Sequence, residues 1–333
     1  VNPFPPVSPR LALPGFSLGH GSDLDGKTGV TVMLCPDGML AAAEVRGSAT
    51  GTRQFDSLVS LQHVATRAHA VVLAGGSGFG LAAAEPVVAW LAERGYGFQT
   101  GLIPVPLAPT AILFDLAFGS AEARPTPELV REALEDAARE TNRTVPVGSV
   151  GAGTGATVGK ARGPECGMKG GFGFASLTVE DGPTVAAAVA VNAFGDVRDL
   201  EGQTVAGCRT APESLELAGA DRLLARLPPD AGHAWEGNTT LMVVMTDAEL
   251  SKPALLKVCQ MAFGGLYRTL SPALSLFDGD LVVTLSSGRR RAHINQVGVL
   301  AERAVAEAIL VAVWQAEGFG LLPTARDLVK SAE

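Results

Sequence analysis

The sequence predicts an α/β protein in which mixed or antiparallel sheets are covered by helices. Three observations carry this. Strand-like apolar segments come in consecutive pairs, helical segments come in blocks, and the strict β-α-β alternation of a doubly wound sheet is absent. The chain has 333 residues, 47% of them apolar and 18% charged, with 40 glycines. That describes a packed, loop-rich globular chain of one or two domains.

Residues 1–27 are rich in Pro and Gly and read as an irregular arm. Residues 29–35 and 40–45 read as strands joined by the turn Pro36-Asp37-Gly38. A helix is expected over 55–68, a short buried strand over 71–73, and a helix over 81–94. Residues 126–141 form an amphipathic helix that opens with Thr126 as cap and Pro127 at the first helical position. After a Gly-rich stretch from 148 to 173, strands 174–179 and 185–192 read as a hairpin. Residues 195–238 read as polar loop. A strand at 241–245, a helix at 250–270, a strand at 281–285 and a helix at 294–317 complete the chain.

Composition excludes several functions. Net charge is −8, and Arg289-Arg290-Arg291 is the longest basic run, so nucleic acid is not an expected partner. No apolar run approaches the ~20 residues of a membrane span. The N-terminal Val-Asn-Pro-Phe-Pro-Pro-Val has no signal-peptide pattern, and because residue 1 is Val the natural start is expected upstream. Four scattered cysteines with no CxxC spacing fit a reduced, cytoplasmic setting and no zinc site. The five histidines, His20, His63, His69, His233 and His293, show no metal-binding spacing.

Two Gly-rich loops imitate nucleotide motifs and fail. Gly76-x-Gly78-x-Gly80 is not GxGxxG, and reads as a tight strand-to-helix turn. The run 151–160 has Thr154 where a phosphate loop needs Gly, and is followed by Ala161 where it needs Ser or Thr.

The sharpest signal is Glu236-Gly237-Asn238-Thr239-Thr240, where a polar loop enters an apolar strand. Locally, a β-favouring Thr opening a strand accounts for it. The chemical alternative is a threonine nucleophile. If the chain is cut before Thr239, the new α-amino group, with an unperturbed pKa near ~8, can take the hydroxyl proton. The same hydroxyl makes the cut by attacking the Asn238 carbonyl. Downstream, Asp278 and Asp280 flank Gly279. In extended chain they share a face, where two close carboxylates tend to share a proton. A solvent-exposed Asp-Gly-Asp turn is the competing reading.

Asn238-Thr239-Thr240, Phe277-Asp278-Gly279-Asp280, Met168-Lys169-Gly170-Gly171-Phe172-Gly173, Val191-Asn192-Ala193-Phe194-Gly195-Asp196 and the run from Leu73 to Leu81 together resemble the self-cleaving hydrolases. That family includes the D-aminopeptidase/esterase-type enzymes, the β-peptidyl aminopeptidases and the 6-aminohexanoate (nylon) oligomer hydrolases. The resemblance spans about residues 15 to 320. It implies a four-layer α-β-β-α sandwich and a single unit of 1–333, cut into fragments 1–238 and 239–333 that stay together. It further implies a homo-oligomer, such as a tetramer, of cleaved heterodimers. Thr239 with Asp278 and Asp280 is closer to the nylon-oligomer hydrolases than to the aminopeptidase branch, which usually carries Ser as nucleophile and Ser and Glu in the acidic loop. By the same resemblance, Lys169 and Asn192 complete the site, Lys169 as positive charge near the nucleophile and Asn192 as oxyanion donor.

The expected activity is hydrolysis of short linear amides through an acyl–enzyme, with no metal or cofactor. The alternatives are an aminopeptidase releasing N-terminal β- or L-amino acids, an acyl transferase of ornithine acetyltransferase type, and a non-enzymatic small-molecule binding protein.

Overall fold

The computed structural model describes residues 4–139, 143–229 and 237–330. Its centre is a nine-stranded mixed sheet. In chain order the strands are β1 (Ser17–Asp23), β2 (Thr28–Val45), β3 (Gly51–Arg53), β4 (Arg67–Ala74), β5 (Thr110–Ile112), β6 (Gly171–Thr178), β7 (Thr184–Asn192), β8 (Thr239–Ala248) and β9 (Leu281–Arg290). Four long helices cover it: α1 (Ala84–Glu93), α2 (Pro127–Arg139), α3 (Lys252–Thr269) and α4 (Ile294–Trp314). The strand order is β6-β7-β8-β9-β2-β4-β5-β3, with β1 also on β2.

The period-2 alternation of side chains sorts the core into three slabs. In β2, β4, β7, β8 and β9, one parity points inward: Met33, Val71, Ala186, Ala188, Leu241, Val243 and Val283 meet in a central core with Phe172 and Phe174. The opposite parity of β2 and β4, including Val30, Val32 and Val72, packs on Val87, Leu91, Val130 and Leu134 of α1 and α2. On the other side, Val189, Met242, Val244 and Val282 pack on Val258, Phe263, Ala301 and Val305 of α3 and α4. The layers are therefore helix, sheet, sheet, helix, as the resemblance implies. The strands are apolar on both faces because both faces are covered.

One strand belongs to both halves of the sheet. The first part of β2 pairs with β1 and β4, and its last part pairs with β9. The expected turn at Pro36-Asp37-Gly38 does not reverse the chain. It is a bulge inside β2, where the register against β4 shifts between Leu34 and Met39. Proline, which cannot donate to the ladder, is accommodated at such a bulge.

Other elements differ from the sequence expectation for local reasons. The helix expected over 55–68 is a single turn, Asp56–Val59. His69 instead lies in β4, where its N–H donates to Leu107 O at 2.8 Å and its ring accepts from Leu107 N at 3.2 Å. Arg67 and Ala68, the end of that stretch, already pair with Leu40 and Met39 of β2, so a helix cannot run through them. The N-terminal arm contributes β1. The loop 195–238 contains a small ribbon (Asp196–Arg198, Thr204–Ala206 with Leu270–Ser271) and the short helix Ala220–Leu224. His233, Glu236 and residues 140–141 of the expected third helix lie outside the described residues. Thr126 caps α2 as expected, accepting from Leu129 N at 3.3 Å.

Glycines let α4 lie directly on β6. A Cβ at Gly173 would stand 1.8 Å from Ala308 O, and one at Gly171 2.4 Å from Ala312 O. Gly173→Ala is therefore expected to destabilise the fold by about 1–3 kcal/mol, the usual cost of overpacking a rigid contact. Thermal unfolding reads this as a lowered midpoint. An unchanged midpoint would mean that α4 does not rest on this backbone.

Candidate active site

Strand direction assembles the site. β8 and β9 are parallel, with Leu241 beside Leu281, so the residues just before each strand meet at one end of the sheet. β7 is antiparallel to β8, and its last residue, Asn192, is the register partner of Thr239. Three strand ends thus bring Asn192, Asn238-Thr239 and Asp278-Gly279-Asp280 together, although they are far apart in sequence.

Thr239 is buried at the first position of β8. Its hydroxyl donates to the carbonyl oxygen of Asn238 at 2.5 Å. The same oxygen accepts from Gly279 N–H at 2.7 Å, while Asn238 N–H donates to Phe277 O at 3.2 Å. Asn238 and Asp278 also form an isolated parallel bridge. Residues 46–50 strap this turn from outside. Gly47 N donates to Asp280 O at 2.9 Å, Ala49 N to Asp278 O at 3.0 Å, and Thr50 Oγ1 to Gly279 O at 3.1 Å.

Both carboxylates are buried, which removes the exposed-turn reading. Asp280 accepts from Thr240 N at 2.6 Å. Asp278 accepts from Phe194 N at 3.0 Å, and from Ser275 N at 3.1 Å and Ser275 Oγ at 2.5 Å. Burial raises the pKa of both groups. For Asp280, burial and the neighbouring Asp278 push it up to about 8. For Asp278, the hydrogen bonds and the positive charge of Lys160 oppose the rise. Burial and the charge of Asp278 act in the same direction on Asp280, so Asp280 is the carboxyl that keeps its proton at neutral pH.

Asn192 is fully buried. Its Nδ2 donates to Phe114 O at 2.9 Å, and its Oδ1 accepts from Thr157 N at 3.0 Å and Lys160 Nζ at 2.9 Å. Lys160 also donates to the Asn192 main-chain oxygen at 3.2 Å.

Lys169 is held by main-chain carbonyls. Its ammonium is enclosed by the carbonyls of Gly153, Ala156 and Gly170 at 2.9, 2.7 and 3.1 Å. Burial lowers its pKa to about 7, opposed by Asp115. It braces the Gly-rich segment, whose Thr157 contacts Asn192. Lys160, which sequence reasoning misses, is the lysine that touches the site. Its only signal is the Gly159-Lys160 pair, which reads as part of a failed phosphate loop.

Thr239 opens onto a cleft of about 190 Å3 lined by Ala49, Ser77, Ile112, Phe114 and Gly237. Ser77 comes from the expected strand-to-helix turn, with Gly76 at φ 80° and Ser77 at φ 54°. A second, small cavity of about 20 Å3 shares Phe114 and Gly237 and is lined by Asp115, Phe118, Thr157 and Lys160. Asp115 is held by Gly76 N and Thr28 Oγ1, both at 2.7 Å. Among the described residues, no group of three or more His, Cys, Asp or Glu is arranged to hold a metal ion, and no helix is long and apolar enough to cross a membrane.

The site's geometry can be set beside known proteins. The profile of peptidase family S58 matches residues 13–321. An uncharacterized aminopeptidase of Mycobacterium leprae is 38% identical, over 96% of this chain and 93% of its own. A 6-aminohexanoate-oligomer endohydrolase of Agromyces sp. is 28% identical, over 91% of this chain and 85% of its own. The L-aminopeptidase D-Ala-esterase/amidase of Ochrobactrum anthropi, described as a variant of the Ntn hydrolase fold, superposes with a TM-score of 0.67. That likeness covers 96% of this chain and 93% of the other at 20% identity, and it shows a shared fold.

The raised pKa of Asp280 has a signed consequence for stability. The folded chain keeps its proton to about 8, whereas the unfolded chain releases it in the ordinary carboxylate range. The contribution is complete in acid and is lost as pH climbs toward 8. Asn mimics the protonated acid, so Asp280→Asn should flatten this loss. Thermal midpoints of the Thr239→Ala chain, with and without Asp280→Asn, are expected to diverge as pH rises from 5 to about 8. Parallel curves would show that Asp280 is ionised in the folded chain.

Proposed function

Because the chain belongs to peptidase family S58, a family of Ntn-type amide hydrolases, we propose that it is a self-processing N-terminal threonine amidohydrolase of short linear amides. The observation that carries this reading is the Thr239 hydroxyl, 2.5 Å from the Asn238 carbonyl oxygen and seated beside two buried carboxyls. In the proposed first reaction, Thr239 Oγ adds to the Asn238 carbonyl carbon. The Asn238–Thr239 C–N bond breaks, and the hydroxyl proton ends on the departing nitrogen. Water hydrolyses the resulting ester and leaves Thr239 with a free amine.

In turnover, that amine takes the hydroxyl proton as Thr239 attacks a substrate amide. Asn192, at the register position opposite, supplies an amide N–H to the oxyanion. Such a donor is typically worth about 2.7–4 kcal/mol. Asp280 and Asp278 fix the backbone on either side of the nucleophile, through Thr240 N and Phe194 N. Lys160 holds Asn192 in place. The fragments 1–238 and 239–333 stay together on this reading, because β8 is hydrogen-bonded on both edges, to β7 and β9.

For the substrate, we propose oligoamides of the 6-aminohexanoate type. The Thr239, Asp278, Asp280 combination and the similarity to the Agromyces endohydrolase support this class. One observation favours the aminopeptidase alternative. Asp115 lines the cavity that adjoins the nucleophile's cleft, where an acidic group would meet a substrate ammonium.

Mass spectrometry of the purified chain tests the processing step. A fragment beginning at Thr239 is expected from the parent and none from Thr239→Ala, which should also lack amidase activity. A full-length parent chain that still hydrolyses amides would overturn the nucleophile assignment. Substrate class is read by comparing N-acetylated and free-amine versions of one amide. The endohydrolase reading expects comparable rates. Loss of hydrolysis on acetylation, with Asp115→Asn reducing the free-amine rate alone, would establish the aminopeptidase instead.

A further inference from the structure

The reading above gives Asn192 to the substrate's oxyanion, but the bond cut first in the life of the chain is its own. We infer that self-cleavage uses a separate oxyanion donor, the backbone N–H of Gly279. This inference rests on the proposed function and deepens it.

The geometry is direct. Gly279 N–H points at the Asn238 carbonyl oxygen at 2.7 Å, on the same atom that the Thr239 hydroxyl approaches at 2.5 Å. When Thr239 Oγ bonds to the Asn238 carbon, the carbonyl electron pair moves onto that oxygen. A donor already in place then stabilises the charge without reorganisation. The hydroxyl proton passes to the Thr239 nitrogen as the C–N bond breaks, so the step balances without any further reagent. Asn192 Nδ2 gives one N–H to Phe114 O, and its second N–H is the one assigned to the substrate's oxyanion.

Three features hold this N–H in place. The turn is strapped on its outer side through Asp278 O, Gly279 O and Asp280 O by Ala49, Thr50 and Gly47. It is pinned on its inner side by the Asn238–Asp278 bridge. Residue 279 also has to be glycine, because a Cβ there would stand 2.7 Å from Ala49 O and 2.8 Å from Thr239 Oγ1. The glycine between the two aspartates lets backbone approach the nucleophile closely enough to donate.

Removing one N–H without changing a side chain tests this. Glycolic acid in place of Gly279, introduced into the full chain by nonsense suppression, turns that amide into an ester. The same replacement at Gly182 removes a 2.9 Å bond to Val179 O in the turn between β6 and β7, at the end of β7 opposite Asn192, and serves as control. Appearance of the fragment beginning at Thr239 is followed by mass spectrometry. The Gly279 ester is expected to slow it by about 10²–10³-fold, and the Gly182 ester by less than about threefold, since no reacting atom loses a donor there. Equal slowing by both, or parent-like cleavage of the Gly279 ester, would overturn the inference. A parent chain that never yields the fragment would instead overturn the functional reading. A second measurement needs no ester. In the uncleavable Thr239→Ala chain, Gly279 N should show a scalar coupling across its hydrogen bond to the Asn238 carbonyl carbon. A Gly279 amide that exchanges freely with solvent, with no such coupling, would also overturn the inference.

Discussion

The whole site hangs on the parallel pairing of β8 with β9. Most neighbours in this sheet run antiparallel, which would send adjacent strand starts to opposite ends. Placing β9 parallel to β8 brings Asn238-Thr239 and Asp278-Gly279-Asp280 to one edge, and the antiparallel β7 then delivers Asn192 from its far end. A one-residue slip in either ladder would turn Thr239 or its neighbours to the opposite face of the sheet. Both faces of β7, β8 and β9 are largely apolar, so close packing against the two cores, and not a polar face, holds the register. Stability and chemistry are specified by the same side chains.

The second organising feature is desolvation. Asp278, Asp280, Asn192, Lys160 and Thr239 are all buried. Out of solvent, these groups answer to protein partners, and the cost appears as carboxyl groups that give up their protons reluctantly. Main-chain N–H groups do most of the holding. Thr240, Phe194 and Gly279 each contribute one, so the site is built as much from backbone as from side chains.

The legibility of the sequence follows from this. Thr239, Asp278, Asp280 and Asn192 border strands whose apolar runs are unmistakable, so a polar residue at their ends stands out. The layered architecture is legible for the same reason, since paired strands and blocked helices are period signals. Lys160 is hidden because its position depends on the path of a Gly-rich loop, which has no periodicity to read. Lys169, carried by resemblance, is held by the carbonyls of that loop. The bulge within β2 and the loss of the helix over 55–68 arise from pairing with distant segments. Three-residue strands such as Thr110–Ile112 are too short to show alternation. Gly279 reads only as a spacer between two acids, because nothing in a sequence reports where an N–H points.

The order of elements along the chain adds a dimension of time. Synthesis delivers the Asn238–Thr239 bond before it delivers β9 and the turn that precedes it. A nascent chain that has just passed residue 248 holds the hydroxyl and the bond, yet has neither Asp280 nor Gly279 beside them. On the proposed reading, the cut waits until the last strand has been made and has found its parallel partner. The break in the chain then works as a receipt for finished folding, issued only to molecules whose sheet is complete.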